Sequence, residues 1–367
     1  MKILCGKSGI NKLQLTQYKN KKVLVTGHTG FKGSWLTIWL KMIGADVTGY
    51  ALDPKTSKDN FILCNLTDDI TDIRADIRDK QNLFNTFDKA QPEIIFHLAA
   101  QPLVIDGYKN PLETIETNTQ GTVNILEAFR LCVSAKLLIV ITTDKVYENN
   151  ESDSCYKETD RLGGNDPYSA SKSAAELIVN AYNESYFKSL KNKKVVTVRA
   201  GNVFGGGDWS EYRIVPDIIK AIEKNEKIIL RNPTSTRPWQ HVLEPLAGYF
   251  LLGEKILKNE IEAGGAWNFG PVFSNNITVE NFVKKIIDIY GCGEYEVRID
   301  PDAPKEANYL SLDITKAKER LNWIPILSFE DAIKYTIDWY KSYATSNVRD
   351  LCEEQINEYM NKWKLKS

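Results

Sequence analysis

Metal ligands and clustered cysteines are scarce in this sequence. Among 367 residues there are three histidines and six cysteines, and no two cysteines form a C-x-x-C pair. A zinc site or a disulfide framework needs such side chains close together at fixed spacing. We therefore expect no metal site, and reduced thiols in a protein that stays in the cytoplasm.

An imbalance of charge and a long apolar run are also missing. The 47 Lys and Arg residues nearly balance the 48 Asp and Glu residues, which leaves a formal charge of −1. This balance gives no general attraction to nucleic acid or to an anionic membrane. No apolar run approaches the ~20 residues that span a bilayer, and residues 1–20 are too polar for a secretory signal. We interpret residues 1–20 as a short leader, and any bound phosphate must be held by a local site.

What the sequence does contain, over residues 21–200, is a regular alternation of short apolar runs with longer helical patterns. The runs predict strands at 23–26, 46–50, 93–98, 136–143 and 195–199, and the patterns between and after them include helices at 31–43, 112–131 and 167–187. This alternation is typical of a parallel sheet covered by helices on both faces. It predicts a doubly wound α/β (Rossmann) domain that binds a dinucleotide.

The alternation of strand and helix patterns becomes less regular after residue 200. Gly-rich and Pro-containing stretches there alternate with short helices such as 214–224. We expect residues 201–367 to form a smaller mixed α/β lobe that mainly binds the substrate and is partly interleaved with the sheet.

A glycine-rich loop lies between the first predicted strand and the first predicted helix. Its glycines are Gly27, Gly30 and Gly33. Glycines at such a junction allow a tight turn and a close approach of the backbone to a pyrophosphate, and the helix start presents free N–H groups to it. A plain strand-to-helix turn is the alternative, but the position at the first βα junction favours a phosphate site.

Two acidic positions further along can help to bind an adenosine. Asp53 follows the second predicted strand and can bind a ribose, which would favour NAD; a turn residue before Pro54 is an equally good interpretation. The spacing of the three loop glycines resembles that of short-chain dehydrogenases, a family that places an acid beside the adenine amino group where Asp76 stands. A solvated loop is the alternative for that segment.

A tyrosine and a lysine lie one turn apart on a predicted helix. Asp166 and Pro167 form a typical helix start, so Tyr168 and Lys172 share one face at i and i+4. A phenol of pKa ~10 is a weak base at neutral pH. A nearby cation and the helix N-terminus favour the phenolate, which can take a proton from a sugar hydroxyl while its hydride leaves. Such a pair arises by chance on many helices, but here the phosphate loop precedes it.

An adjacent acid and base follow the strand predicted at 136–143. Asp144, if protonated, can donate to a departing hydroxyl, and Lys145, if neutral, can remove a proton next to a ketone. Neutral Lys145 requires a pKa lowered by burial. This arrangement fits a β-elimination, in which water leaves from C6 of a hexose after C4 has been oxidised. A C4-epimerase, in contrast, needs little more than the tyrosine and the lysine.

Five segments together resemble the CDP-glucose 4,6-dehydratase family, a branch of the extended short-chain dehydrogenases/reductases. They are GHTGFKGSW at 27–35, HLAAQPLV at 97–104, TDK at 143–145, RAGNVFGGGDW at 199–209 and RPWQHVLEP at 237–245. The loop histidine and the Asp-Lys pair, where dTDP-glucose dehydratases have Asp-Glu, are specific to this branch.

The resemblance implies a set of site residues and no metal. It assigns catalysis to Thr143, Asp144, Lys145, Tyr168 and Lys172. It assigns NAD binding to Gly27, His28, Gly30, Phe31, Lys32, Gly33, Asp53, Asp76, Ile77, Leu98, Ala99 and Ala100, together with Tyr168 and Lys172. It assigns binding of the sugar nucleotide to Gln101, Asn202, Arg213, Val215, Arg237 and His241. An arginine suits a phosphate because its planar fork donates two bonds at once.

The activity that the resemblance implies is NAD-dependent conversion of CDP-D-glucose to CDP-4-keto-6-deoxy-D-glucose. The product would feed deoxysugar synthesis for the O-antigen of a lipopolysaccharide, and a homodimer would form through the helices at 112–131 and 167–187. The alternatives are a 4,6-dehydratase of another sugar nucleotide, a C4-epimerase, or a catalytically silent NAD-binding scaffold. The four residues Asp144, Lys145, Tyr168 and Lys172 argue against the scaffold, because no structural need requires them together.

Overall fold

The computed structural model describes residues 15–150, 154–190, 192–272, 277–299 and 309–366. In the N-terminal half the elements are β1 (Lys22–Thr26), α1 (Phe31–Met42), β2 (Asp46–Ala51), α2 (Asn60–Leu63), β3 (Thr71–Arg74), α3 (Lys80–Ala90), β4 (Ile94–His97), α4 (Val104–Lys109), α5 (Pro111–Ile115), α6 (Gly121–Leu131), β5 (Leu137–Ile141), α7 (Pro167–Tyr182) and β6 (Lys194–Ala200). In the C-terminal half they are β7 (Val203–Phe204), α8 (Ile214–Glu223), β8 (Ile228–Leu230), β9 (Thr236–Arg237), β10 (Gln240–His241), α9 (Leu243–Leu257), β11 (Ala266–Phe269), β12 (Ile277–Thr278), α10 (Val279–Tyr290), β13 (Tyr295–Val297), α11 (Thr315–Leu321), α12 (Phe329–Ser342) and α13 (Val348–Lys366).

Seven parallel strands form the central sheet in the order β3-β2-β1-β4-β5-β6-β11. Apolar layers cover both faces: one is built around Trp35, Trp39 and Phe250, the other around Phe87 and Phe129. Strand β5 is buried along its whole length because helices lie on both sides of it. The predicted doubly wound α/β fold is confirmed. The strand order reverses between β1 and β4, and such a switch point opens a crevice at the carboxyl ends of the strands.

The predicted strands are present with shifts of one or two residues at their ends, but two strands of the sheet were not predicted. Strand β3 has the sequence TDIR and is only partly buried, so it lacks an apolar run. Strand β11 is four residues long and lies in the part of the chain where no regular rhythm is visible. Its pairing with β6 places it at the edge of the sheet, so the C-terminal half contributes the last strand.

Both long helices that were predicted contain an irregular turn. The helix predicted at 112–131 consists of α5, a π-helical turn at Glu116–Gln120 and α6. The helix predicted at 167–187 consists of α7 and a π-helical turn at Asn183–Phe187. Apolar periodicity does not reveal such turns, because the chain remains helical through them.

The C-terminal half adds three small strand pairs and six helices among the described residues: β7 pairs with β10, β8 with β13 and β9 with β12. Helix α13 then returns to the N-terminal half, where it packs against α1 and α2. The Sγ atoms of Cys64 and Cys352 lie 4.0 Å apart at this contact. Among the described helices, none combines the length and the apolar character that a membrane crossing demands.

Candidate active site

A cavity of about 970 Å³ opens at the carboxyl ends of the central strands. It continues from the glycine-rich loop, past the Tyr168 and Lys172 side chains, to the segment around α8. Of the predicted site residues, those that line it are Gly27, Gly30, Phe31, Lys32, Gly33, Asp53, Asp76, Ile77, Leu98, Ala99, Ala100, Gln101, Thr143, Asp144, Lys145, Tyr168, Lys172, Asn202, Arg213, Val215 and Arg237. His28 and His241 do not line it. Its volume suits a ligand of drug size or larger.

The glycine-rich loop is shaped by close backbone contacts. Gly27 has a φ of +75°, which a residue with a Cβ rarely adopts. A Cβ on Gly27 would also lie 2.7 Å from the Ala99 nitrogen, and one on Gly33 would overlap the Gly27 carbonyl oxygen. Helix α1 begins directly after Gly30, so its free N–H groups face the cavity. This cradle fits the pyrophosphate of a dinucleotide.

His28 contacts the protein instead of the cavity. Its side chain is fully buried, and Nε2 lies 2.8 Å from Oδ1 of Asp72. Burial is the largest influence and lowers the pKa of His28. A Cβ on Gly49 would overlap the imidazole ring, so the ring fills the space beside β2. The His28 side chain therefore packs beneath the loop, and the assignment of His28 to cofactor binding stays a prediction.

The two acidic positions predicted at the adenosine end differ in their surroundings. The Asp53 side chain is 85% exposed, and its Oδ1 lies 3.5 Å from Nη1 of Arg74. Asp76 accepts hydrogen bonds from the Arg78 backbone nitrogen at 2.8 Å and from Arg78 Nε at 3.0 Å. These bonds lower the pKa of Asp76. Asp53 is thus free to meet a ligand from solvent, whereas Asp76 is fixed in place beside the buried Ile77.

Tyr168 and Lys172 lie on the cavity face of α7. Asp166 caps this helix, because its Oδ1 accepts a hydrogen bond from the Ser169 nitrogen at 3.0 Å. Burial raises the pKa of Tyr168 to about 12, whereas a hydrogen bond with Thr143 acts in the opposite direction. The charge of Arg213 also acts to lower the pKa of Tyr168, and the expected support of the phenolate by the lysine and the helix start stays a prediction. Burial lowers the pKa of Lys172 to about 8.

A buried acid that was not predicted lies on the same helix face. Glu176 is one turn beyond Lys172, and it is the group that raises the pKa of Lys172 against the effect of burial. Its Oε1 accepts hydrogen bonds from Thr142 Oγ1 at 2.6 Å and from Arg199 Nε at 2.8 Å. The spacing Tyr-x3-Lys-x3-Glu was the available signal. Glu176 thereby ties α7 to the end of β5, where Thr143 and Asp144 follow.

Asp144 and Lys145 lie side by side at the carboxyl end of β5. Asp144 is buried; Oδ1 accepts a hydrogen bond from Thr143 Oγ1 at 3.0 Å, and Oδ2 has no partner within the described residues. The Lys145 Nζ is 3.7 Å from Asp144 Oδ1, and its side chain is 29% exposed. The burial expected for Lys145 is therefore only partial in the free protein. A hexose that covers this end of the cavity would complete it.

Basic groups surround the part of the cavity beside this acid. Burial, followed by the charges of Arg213 and Lys172, lowers the pKa of Lys32 to about 7, whereas Asp144 acts to raise it. Arg213 donates to Asp208 Oδ2 at 2.9 Å and so has a fixed direction. Such a concentration of cations suits a ligand that carries phosphates.

The remaining predicted substrate residues have different environments. Asn202 Oδ1 is buried with no partner in the described parts of the chain, and Arg237 is buried at the cavity wall. Gln101 is already engaged within the protein, because Nε2 donates to Thr114 Oγ1 at 2.8 Å and to Leu103 O at 3.0 Å. His241 is fully buried outside the cavity.

Burial lowers the pKa of His241 to about 3, and the ring packs edge-on against Trp35 and Phe204. His241 is thus a neutral core histidine that does not line the cavity, and its assignment to substrate binding stays a prediction. Several polar residues that line the cavity were not predicted, among them Asp208, Asp217 and Arg231. Asp208 and Asp217 lie close in sequence to the predicted Arg213, whereas Arg231 follows β8 and has no such neighbour.

Known proteins are similar to this chain over most of its length. The family model described as GDP-mannose 4,6 dehydratase matches residues 24–336. The CDP-glucose 4,6-dehydratase of Salmonella typhimurium is 41% identical over 349 residues, which cover 94% of this chain and 97% of that protein.

Two solved structures share the fold. DesIV, a dTDP-glucose 4,6-dehydratase of Streptomyces venezuelae solved with NAD, is 25% identical with a TM-score of 0.76, over 87% of this chain and 97% of that one. The UDP-glucose 4-epimerase of Thermus thermophilus, also solved with NAD, is 25% identical with a TM-score of 0.74, over 87% and 98%.

Proposed function

Because the chain belongs to the GDP-mannose 4,6-dehydratase family, we propose that it is an NAD-dependent lyase that converts CDP-D-glucose to CDP-4-keto-6-deoxy-D-glucose. The observation that carries this proposal is the adjacent pair Asp144 and Lys145 beside Tyr168 in one cavity. An epimerase needs no such acid and base. The similarity to the Salmonella CDP-glucose 4,6-dehydratase supports the choice of substrate.

The reaction begins with oxidation at C4 of the hexose. Tyr168 takes the proton of the C4 hydroxyl, with Thr143 as its hydrogen-bond partner and Lys172 as the neighbouring cation. The glycine-rich loop, Asp53 and Asp76 line one cavity and would hold NAD, which would supply the hydride acceptor for C4 and the hydride donor for C6. The fit of the cradle formed by Gly27 and Gly33 supports this placement.

Elimination of water follows. Lys145 removes the C5 proton, which the C4 ketone has made acidic, and the C6 hydroxyl leaves as water with a proton from Asp144. Asp144 must therefore be protonated when it acts, and its buried Oδ2 has the free position that a donor needs. When the hydride returns to C6, Lys145 gives its proton back to C5, and the proton that Tyr168 took from the C4 hydroxyl replaces the one that Asp144 gave up. The net change is the loss of one water, with no net redox change.

The diphosphate of the substrate is held on the other side of Tyr168. We assign this role to Arg213, Asn202 and Arg237, which line the cavity there. Residues 201–367 then supply mainly the substrate side of the site, and residues 21–200 mainly the cofactor side.

The test uses purified protein with NAD and four substrates offered separately: CDP-glucose, dTDP-glucose, UDP-glucose and a GDP-hexose. The expected result is the loss of one water from CDP-glucose, detected by mass spectrometry, without net formation of NADH. A product of unchanged mass would favour a C4-epimerase. A loss of water from another sugar nucleotide alone would identify that sugar nucleotide as the substrate instead of CDP-glucose. No reaction with any of them would favour the scaffold.

Assembly and location form a second part of the proposal. We infer a homodimer that joins through α5, α6 and α7, and the exposed apolar side chains on two of these helices support it: Leu112 is 69% exposed and Leu177 is 60% exposed. We infer a cytoplasmic location without membrane attachment, and a role in deoxysugar synthesis for the O-antigen of a lipopolysaccharide. Scattered cysteines and an activated sugar product support these inferences.

A further inference from the structure

Asp217 occupies the end of the cavity that the reaction does not use. It is the fourth residue of α8, and Arg213 is the residue that immediately precedes this helix. Arg213, Asp217 and Tyr168 line the same cavity. With the hexose at Tyr168 and the diphosphate at Arg213, we place the base of the ligand toward Asp217.

The surroundings of Asp217 suit a flat ring with a polar edge. Ile229 and Leu230 contribute apolar lining to this part of the cavity. The Arg231 guanidinium lies 5.8 Å from the centre of the Tyr212 ring. A planar, mostly apolar ring can lie against these groups, with its polar edge toward the side chains of α8.

The Asp217 carboxylate forms no hydrogen bond within the described residues, although it is half-buried. Lys220, three residues further on, is directed elsewhere, since its Nζ donates to the Trp209 carbonyl at 3.0 Å. A half-buried carboxylate without a donor is costly in a free cavity. A ligand that brings an N–H group to this position would remove that cost.

The three pyrimidine bases differ at the edge that would face this carboxylate. Cytosine carries an exocyclic amine, which donates, whereas uracil and thymine carry a carbonyl oxygen, which accepts. Aspartate and glutamate are the side chains that accept from this amine in nucleic-acid recognition. At the position of the cytosine amine, uracil or thymine would place a carbonyl oxygen against the carboxylate, and the two oxygens would repel each other.

We propose that Asp217 selects cytosine as the base of the sugar nucleotide, by accepting a hydrogen bond from the exocyclic amine of the ring. This inference rests on the proposed function, because it assumes that a sugar nucleotide lies in the cavity with its hexose at Tyr168. It names the residue that distinguishes CDP-sugars from UDP-sugars and dTDP-sugars.

The decisive variant is Asp217→Asn, which keeps the size of the side chain and can turn an N–H toward a carbonyl. The ratio of kcat/KM for CDP-glucose to that for UDP-glucose should fall by about 10- to 100-fold, in the range of one specific base contact. Asp217→Glu keeps the acceptor and should retain a preference for CDP-glucose. The matched control is Glu223→Gln, a carboxylate on the same helix that pairs with Lys58 outside the cavity.

A second arm measures binding without turnover. Titration calorimetry compares CDP with UDP on the wild type and on Asp217→Asn, with no NAD and no hexose present. The preference for CDP should fall in the variant, while its affinity for NAD should remain as in the wild type, which excludes the adenine amine as the partner. If the variant still dehydrates CDP-glucose with the wild-type base preference, the role of Asp217 is overturned and the proposed function stands. If no sugar nucleotide reacts, the calorimetric preference still decides the role of Asp217.

The acidity of Asp217 gives an independent check. Burial raises the pKa of Asp217 to about 6, against the charges of Lys220 and Arg231 and together with those of Glu211 and Asp208. Protonation below that pH would replace the acceptor with a donor. The preference of the wild type for CDP over UDP should therefore decrease as the pH falls through about 6, and a preference that is constant down to pH 5 would contradict the proposal.

Discussion

At the residue scale, burial governs the acid–base groups of the site. It raises the pKa of Tyr168 to about 12 and lowers that of Lys172 to about 8, so in the free protein both effects disfavour the charged forms. Particular groups counteract the effect of burial on these pKa values. A hydrogen bond with Thr143 acts to lower the pKa of Tyr168, and the charge of Glu176 acts to raise the pKa of Lys172. Catalysis by this pair therefore depends on partners that a two-residue motif does not include.

Lys145→Ala should separate oxidation from elimination. The variant retains Tyr168 and Lys172, so C4 is still oxidised, but no base is present to remove the C5 proton. We expect reduced cofactor to accumulate on the enzyme in a single turnover, seen by the absorbance of reduced nicotinamide, and product formation to fall by about 10²- to 10⁴-fold. Full turnover by the variant would remove Lys145 from the mechanism.

The alkaline limb of the pH profile of kcat/KM should reflect the deprotonation of Lys172. Because the pKa of Lys172 is about 8, its charge is present below that pH and is lost as the pH rises through it. The kcat/KM for C4 oxidation should decline there, since the cation supports the phenolate. Glu176→Gln should move the decline to lower pH. The control is Thr197→Val, which removes a hydrogen bond to Glu176 but leaves its charge; an alkaline limb that is identical in Glu176→Gln and wild type would refute the role of Glu176.

At the element scale, the site is built by six segments that follow strands. The glycine-rich loop follows β1, Asp53 follows β2, and Asp76 and Ile77 follow β3. The segment of Leu98 to Gln101 follows β4, Thr143 to Lys145 follow β5, and Asn202 follows β6. Parallel strands bring these segments to one edge of the sheet. The helix α7 completes the site from the side, and α8 closes it opposite.

Gly33→Ala should show how tightly α1 is packed against the loop. The new Cβ would overlap the Gly27 carbonyl oxygen, which is backbone and cannot turn aside. We expect the free energy of unfolding to fall by about 1–3 kcal/mol in urea titrations and the affinity for NAD to decrease. Gly30→Ala is the control for stability, because its Cβ would lie 3.4 Å from the same oxygen and cost much less. Equal stabilities of the two variants would contradict this account.

The local signals in the sequence predict the elements that carry strong apolar runs and the motifs that lie beside them. Strands β1 and β5 and the pair Tyr168 and Lys172 belong to this class. Contacts between distant segments do not leave such signals. His28 and His241 were assigned to ligands because they stand within motifs, and only the packed structure shows that each ring points into protein. Asp217 was missed although the neighbouring Arg213 and Val215 were predicted, because its sequence position alone does not show that its side chain lines the cavity.

At the scale of the whole molecule, the two halves of the chain share one core. The largest apolar cluster contains Trp35 and Trp39 from α1 together with Phe250 from α9 and Tyr359 from α13. The two halves are therefore held against each other by packing, and the cavity keeps its shape. We infer that base, diphosphate and hexose meet a largely preformed site.

Leu177→Asp should test the dimer that we infer. Leu177 is 60% exposed on α7, so a charge there would be tolerated in a monomer but would be buried in the proposed interface. Light scattering should give about half the mass of the wild type. Leu365→Asp, at an 88% exposed position on α13, is the control. A mass unchanged by Leu177→Asp would place the interface elsewhere, or show that none exists.

The position of β11 has a consequence for how the protein is made. The ribosome completes β6 long before it reaches Ala266–Phe269, yet β11 pairs with β6 along its length. Until that stretch emerges, the nascent chain carries a sheet with an open edge, and such an edge readily pairs with other chains. Folding of the Rossmann half therefore finishes only after most of the substrate lobe has been synthesised, and a stop codon before residue 266 would yield an aggregation-prone fragment instead of a free cofactor-binding domain.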